Sequence, residues 1–512
     1  LGIKKNIQKM ADTDDYLWIV ILGAFTSFYA AFGIGANDVA NAFASSVGSK
    51  ALTIKQACAI AVVCEFLGAT LLGSEVVNTI RKGIANEDMF ADNPPLLMWG
   101  CLCALFSVGS WLIIASRFEM PVSTTHSCIG GMIGMIIALK GSDAVVWYES
   151  PSLPEKPLPG GFVGVLLSWF ISPALSALVA CGMFATIRCI LRSKNPFKNS
   201  VRIYQFLVFF CVTILSLFML TKGIKSIDAI KKLDDSVKIG ISFSIGAFGA
   251  LCAYPLSLIC ERKILQKEAQ NSTENIEIET TIVEIDNKNS TEPKDDTEKN
   301  NFNRIKSSIM SSLNTDIHKA ISTDSTTSRI HYHAEKFDEK SEQMFIYLQI
   351  FSACFDSLAH GANDVANAVG PFATIFLLYN GSTVGSKQDM GLHKWWILGL
   401  GGVGIGVGLL IYGSQILRAM GVKLATITPS RGFSIEMGSS TIVIIGAYYG
   451  IPLSTTHCQV GATMGVALLE GAKGFNKNVL FKTMFGWVFT CVFVGILAGL
   501  IAAFGAYAPC AS

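Results

Sequence analysis

The chain has 512 residues, of which 51% are hydrophobic and only 15% charged, and its formal net charge is +2. A soluble domain carries nearer a quarter charged residues, so this composition excludes an ordinary soluble protein and points to a bilayer. The near-neutral balance gives no electrostatic footprint for nucleic acid, and no nucleotide loop or nucleophile–base constellation supports an enzyme.

Apolar runs near the twenty-residue bilayer length occur at 16–32, 54–73, 96–114, 162–190, 203–220 and 239–259. They resume at 344–358, 395–416, 442–450 with its upstream flank, and 479–504, and two shorter runs lie at 127–139 and 459–469. About twelve membrane-embedded segments are predicted, hence an all-α polytopic membrane protein. The first run leads into GIGAND rather than a small-residue cleavage site, so it reads as a span and not as a cleaved signal. The stretch MADTDDYLW from Met10 reads as a natural start, within an N-terminal tail at 1–15. Most of the 14 cysteines fall inside apolar runs and no CxxC pair is present, so they read as small core residues.

The first membrane half is assigned to 16–260 and the second to 343–508, with a C-terminal tail at 509–512. Between the halves, 261–342 is polar, charged and short of large apolar residues, which predicts a mostly disordered loop. Within it Ile305, Ile309, Leu313, Ile317 and Ile321 recur every fourth residue, the pattern of a short amphipathic helix, although an unstructured spacer fits equally well. Arg188, Arg192, Lys194, Lys198 and Arg202 favour a cytoplasmic side for their loop, against competing lysines at 222, 225, 231, 232 and 238 across the next span, and the central loop is assigned to the cytoplasm. Of the three sequons, at Asn271, Asn289 and Asn380, that placement leaves only Asn380 for a glycan.

The phrase GANDVANA stands at 35–42 and returns unchanged at 361–368. PVSTTH at 121–126 is matched by PLSTTH at 452–457, again followed by a short glycine-rich run. Two motif pairs in the same order indicate a duplicated unit. Counting spans, the copies are separated by an odd number, which predicts inverted repeats with interrupted segments at matching positions, the layout of a secondary transporter.

Proline suits the first position of a helix, and hydroxyls cap free N–H groups or reach a ligand. A half-helix starting at Ser123, Thr124 and Thr125, or at Ser454, Thr455 and Thr456, therefore offers an anion site fitted to phosphate-like oxyanions. The alternative is a proline-kinked span whose hydroxyls bond their own backbone. In GANDVANA the glycines Gly35 and Gly361 permit a helix break. Asn37 and Asn41, like Asn363 and Asn367, share a helical face beside Asp38 and Asp364. Carboxylate and amide oxygens suit a hard cation such as sodium, against the alternative of an N-cap at the membrane surface. Glu65 and Glu436 are further carboxylates in apolar surroundings, and Glu75 lies near a helix end. His126 and His457 are either packed structurally or able to carry protons. Lysine and arginine are scarce near these positions, so an anion bound there needs cations to balance it, which makes cation coupling the expected mechanism.

GANDVANA twice, each followed by P-[VL]-S-T-T-H, resembles the inorganic phosphate transporter (PiT) family, in its animal-type sodium–phosphate symporters. The likeness covers 16–260 and 343–508 and leaves the central loop unmatched. It implies twelve spans in inverted repeats, outside termini, and uptake of inorganic phosphate with sodium at the plasma membrane. The signature aspartates map onto Asp38 and Asp364, the hydroxyl motif onto 123–125 and 454–456, and the family's important glutamates onto Glu65 and Glu436. With Asn41 and Asn367 these are the expected phosphate contacts, and Asn37 and Asn363 join the aspartates as expected sodium ligands. The YGSQ of the second repeat, where the first has LGSE, makes Gln415 the counterpart of Glu75 and the repeats chemically unequal. The expected partners are phosphate, sodium and the lipid bilayer; no cofactor is needed, and the expected oligomer is a homodimer. Alternatives are a proton-coupled phosphate or sulfate carrier and, from another class, a phosphate receptor without transport. Deleting about 265–335 separates the last, since a transporter keeps uptake and a receptor loses its output.

Overall fold

The computed structural model describes residues 15–508 except 75–76, 78–85, 152–157, 224–229, 231, 280–309, 385–389, 450, 452 and 472. Side chains at 40–41, 87, 222–223, 271–279 and 447–448 also fall outside the described set. Among the described residues there are helices, two isolated β-bridges and no strand. The first half contains α1 (Leu17–Asn37), α2 (Val39–Gly48), α3 (Ile54–Leu72), α4 (Pro94–Arg117), α5 (Thr124–Lys140), α6 (Gly161–Leu191), α7 (Pro196–Phe218) and α8 (Asp235–Glu279). Two short helices follow, α9 (Lys319–Thr323) and α10 (Ser325–His333). The second half contains α11 (Glu339–Tyr379), α12 (Lys394–Tyr412), α13 (Ser414–Arg418), α14 (Pro429–Tyr449), α15 (Thr455–Leu468) and α16 (Lys477–Tyr507).

Helix starts follow the local sequence. Thr53 and Gln56 form a reciprocal capping box at α3, while Asn93 and then proline open α4. Among the described residues, eight helical spans are long and apolar enough to cross a membrane: α1–α2 together, α3, α4, α6, α7 extended to Thr221, α8 to Gln270, α12 with its leading turn, and α16. The helices α11 and α14 fall outside that set because they carry Asp356, Asp364, Arg431 and Glu436. With 17 and 14 residues, α5 and α15 are about 25 and 21 Å long, shorter than the bilayer core.

Lipid tails give no hydrophobic drive between helices, so close packing at small residues must hold the bundle together. The two GANDVANA helices show this reciprocally: α1 crosses α12, and α11 crosses α3. A Cβ on Gly35 would sit 1.8 Å from Ile405 O, and one on Gly361 would sit 2.4 Å from Glu65 O. Both glycines are therefore close-approach residues between the halves. The expected helix break is slight in the first copy, where Asp38 separates α1 from α2 but keeps φ −95° and ψ −40°. It is absent in the second, because α11 runs unbroken through Gly361. The half-helices repeat the reciprocity, with α5 against α16 and α15 against α6.

The boundary drawn at 342 from composition differs from the structure. Residues 310–337 fold against the bundle because several of their sparse apolar residues are buried there: Ile317 is 1% and Ile330 3% exposed. His318 Nε2 lies 3.2 Å from Val47 O, His331 Nε2 lies 3.0 Å from Val422 O, and Ser312 bonds Ser414. Glu335 takes ion pairs from Arg188 and Arg192, and its carbonyl accepts from Arg431. Ile305 and Ile309 lie outside the described residues; Leu313, Ile317 and Ile321 do pack on the core, across turns and short helices instead of one amphipathic helix.

Burial lowers the pKa of both docking histidines, with Lys50 adding to it at each and Arg431 at His331, against weaker opposition from the carbonyls and, at His318, from Asp316. A depressed histidine pKa means docking prefers the neutral ring. Docking stability is thus complete above the ordinary value near 6.5 and lost as pH falls below it. Amide hydrogen exchange across 310–333 should accelerate between pH 7.5 and about 5.5 after correction for intrinsic rates. Unchanged protection would remove the histidines from docking.

Candidate functional site

The two motif pairs converge in the middle of the bundle. Ser123 and Ser454 cap α5 and α15, their hydroxyls accepting from His126 N at 3.2 Å and His457 N at 3.3 Å. The next residues reach the carboxylates. Thr124 donates to Asp38 Oδ2 at 2.9 Å and Thr456 to Asp38 Oδ1 at 2.5 Å. Thr455 donates to Asp364 Oδ2 at 2.6 Å and lies 3.5 Å from Asp38 Oδ2. Asn367 Nδ2 lies 3.1 Å from Asp364 Oδ1, 3.2 Å from Thr124 Oγ1 and 3.3 Å from Thr125 Oγ1, and Asn363 donates to Asp364 Oδ1 at 3.0 Å. One cluster is thereby shared by both copies of both motifs.

Several expected ligands are placed otherwise. The Asn37 amide is spent on the approach to the first STTH turn: Nδ2 donates to Ser116 Oγ and Met120 O, and Oδ1 accepts from Val122 N. Asn37 thus positions the turn, its amide bridging Met120 O and Val122 N on either side of Pro121. The serine hydroxyl oxygens of 123 and 454 are likewise engaged by backbone. The side chain of Asn41 and all of Glu75 lie outside the described residues. His126 and His457 belong to an aromatic stack, 4.6 Å apart, with Trp169 4.8 Å from the first and Trp487 3.7 Å from the second.

Asn37→Ala strands the Val122 N–H, a loss of about 1–3 kcal/mol. It should raise the KM for phosphate more than it lowers surface expression, read by uptake kinetics beside surface labelling. An unchanged KM would end the positioning role.

Glu65 and Glu436 occupy separate polar niches. Glu65, fully buried on α3, accepts from Ser357 Oγ at 2.9 Å and lies 3.0 Å from His360 Nδ1. The other ring nitrogen, Nε2, lies 2.8 Å from Asp364 Oδ2 and 3.8 Å from Asp38 Oδ2, so His360 links three carboxylates. Glu436 on α14 accepts from Ser45 at 2.5 Å, Ser46 at 2.8 Å, Ser352 and Gln349. Asp356 accepts from Ser440 at 2.5 Å and lines a small enclosed cavity with Asp38, His360, Ser439, Thr455 and Gln459. His360, Asp356, Ser352 and Gln349 escaped the motif search. Their signal was available: Ser352, Asp356, His360 and Asp364 recur every fourth residue along α11, a polar stripe in an apolar helix.

Four buried carboxylates (Asp38, Glu65, Asp356 and Asp364) thus lie around His360, and a fifth, Glu436, is held in its own niche. The lysine and arginine ion pairs lie elsewhere: Arg188 and Arg192 on Glu335, Arg418 and Lys423 on Glu119, Arg431 on Glu470. Asp38, His360 and Asp364 each offer a ligand atom within 4.8 Å of the others, a donor set of hard oxygens and one imidazole that suits a small cation.

A bundle of membrane helices enclosing a polar site made by two sequence repeats defines a transporter, not an enzyme. A family model described as the phosphate transporter family matches residues 34–498. The chain is 30% identical over 586 residues to the phosphate-repressible phosphate permease pho-4 of Neurospora crassa, covering 95% of this chain and 97% of that protein. It is 27% identical over 676 residues to the sodium-dependent phosphate transporter of Plasmodium falciparum, covering 98% and 99%. A solved structure titled the sodium-dependent phosphate transporter superposes with a TM-score of 0.70 at 29% identity, over 96% of this chain and 100% of that one. The protein belongs to the phosphate transporter family.

Proposed function

We propose that the protein is a symporter that imports inorganic phosphate together with sodium ions, by alternating access around the Asp38–Asp364 cluster. The observation that carries the reading is the sign of the site: carboxylates and hydroxyls from both repeats meet at two helix N-termini. A phosphate carrying one to two negative charges, desolvated beside Asp38 and Asp364, requires cations that travel with it. Thr125 and the N–H groups that open α5 and α15 supply donors for phosphate oxygens, and the Thr124, Thr455 and Thr456 hydroxyls, which donate to the aspartates here, join them once cations take over those carboxylates. Asp38, Asp364 and the amides of Asn363 and Asn367 hold sodium at the edge of the anion, and Glu436 with its serines offers a second oxygen-rich cation niche. Because the halves are interlocked about the cavity, rocking one bundle against the other exposes the site to either side in turn. In this reading the protein sits in the plasma membrane with its central segment in the cytoplasm, and a homodimer is the expected assembly.

The test is radiolabelled phosphate uptake in cells expressing the chain, with sodium or choline outside and excess cold sulfate in parallel. Sodium-dependent uptake that sulfate does not compete away is expected. Uptake that ignores sodium and tracks pH would instead favour proton coupling, for which His360 between Glu65 and Asp364 is suitably placed.

A further inference from the structure

A second polar cavity, of about 320 Å³, opens on the face that carries residues 310–337. Its wall combines Arg117 at the end of α4, Ser414, Gln415 and Arg418 of α13, and Ser311, Ser312 and Thr315 from the folded part of the central segment. None of these residues lines the cavity bounded by Asp38, Asp356 and His360.

Its charge is the reverse of the transport cluster. Glu119 is the local acid, and it is already engaged by Arg418 through one oxygen and by Lys423 Nζ at 2.6 Å through the other. Two cations therefore share this one carboxylate, and Arg117 on the same cavity wall adds a third positive charge. Arg117 is exposed and has no acidic partner among the described residues, and the Arg418 Nε is buried without a hydrogen-bond partner. Guanidinium groups present planar forks that match phosphate oxygens, and a rim of hydroxyls supplies further donors. The volume lies at the lower end of the range for small-molecule sites and exceeds what inorganic phosphate fills.

We propose that this cavity binds a phosphorylated organic anion, a soluble inositol phosphate or the same headgroup on a lipid, separately from the transported phosphate. Bound there, the anion would join α4 of the first half, α13 of the second and the central segment through one set of charges.

The experiment uses the purified full chain in phosphatidylcholine nanodiscs, with tritiated inositol 1,4,5-trisphosphate as probe. Saturable binding of one probe per chain is expected, falling steeply with salt. Arg117→Gln and, independently, Gln415→Glu should each weaken it at least tenfold, while phosphate uptake by the Arg117 variant stays at the parent level. Asp364→Asn should leave probe binding unchanged. If phosphatidylinositol 4,5-bisphosphate placed in the nanodisc displaces the probe, the lipid headgroup is the ligand; if it does not, the soluble anion is. Non-saturable binding, binding that survives both cavity variants, or loss of binding with Asp364→Asn would overturn the proposal.

Discussion

Asp38→Asn and Asp364→Asn should each cut phosphate uptake by two orders of magnitude or more while the protein still reaches the surface. Asparagine keeps the shape and one acceptor oxygen, so one of the two threonines that bond Asp38 keeps its acceptor and the other can turn to accept from the new amide N–H. What disappears is one negative charge in a buried, compensated set. Breaking such a set costs about 3–5 kcal/mol, and at ~1.4 kcal/mol per tenfold this is roughly two to three and a half decades. Uptake assays normalised to surface labelling read the result. Normal uptake by either variant would take that aspartate out of the transport site, whereas loss of surface protein would make its role structural.

Gly35→Ala should be the most damaging conservative change outside the polar cluster. The added carbon would stand 1.8 Å from Ile405 O, a backbone atom that moves only if α1 and α12 separate. Overpacking of this kind costs about 1–3 kcal/mol or more, and here it also loosens the helix that carries Asp38. Gly399→Ala on the same partner helix, α12, is the matched control, because nothing lies within 4 Å of its new carbon. The expected result is a large drop in folded, monodisperse Gly35→Ala protein on size-exclusion chromatography, with Gly399→Ala indistinguishable from the parent. Equal yields of the two would refute the close crossing of α1 and α12.

The membrane class, the duplication and the identity of the central aspartates were legible from sequence because they rest on composition and repetition. The threonines of both STTH motifs and Asn367 were likewise placed at the cluster they enter. For Asn37, residue type does not tell which backbone groups an amide will meet, whereas Ser123 and Ser454 cap their helices through oxygen and each keep an O–H donor. The glycines were read as helix breaks for a similar reason: Gly361 is needed for a contact with Glu65, hundreds of residues away in the chain. His360 and Asp356 were missed because the search followed repeated phrases, and these residues belong to the stripe of α11, where the second half departs from the first. The folded segment at 310–337 was hidden by its polar composition; a few isoleucines and paired charges suffice to hold it against an existing surface.

The crossing of the halves also sets an order on synthesis. Ser45 hydrogen-bonds Glu436, 391 residues further along the chain. At ~5–20 residues per second the first GANDVANA helix spends on the order of half a minute in the bilayer before its partners exist. During that wait Asp38 and the serines of α2 have no Glu436, Thr455 or Thr456 to meet, and the glycine face of α1 is uncovered. The first half must therefore be held as an incomplete intermediate until α12, α14 and α15 have all emerged.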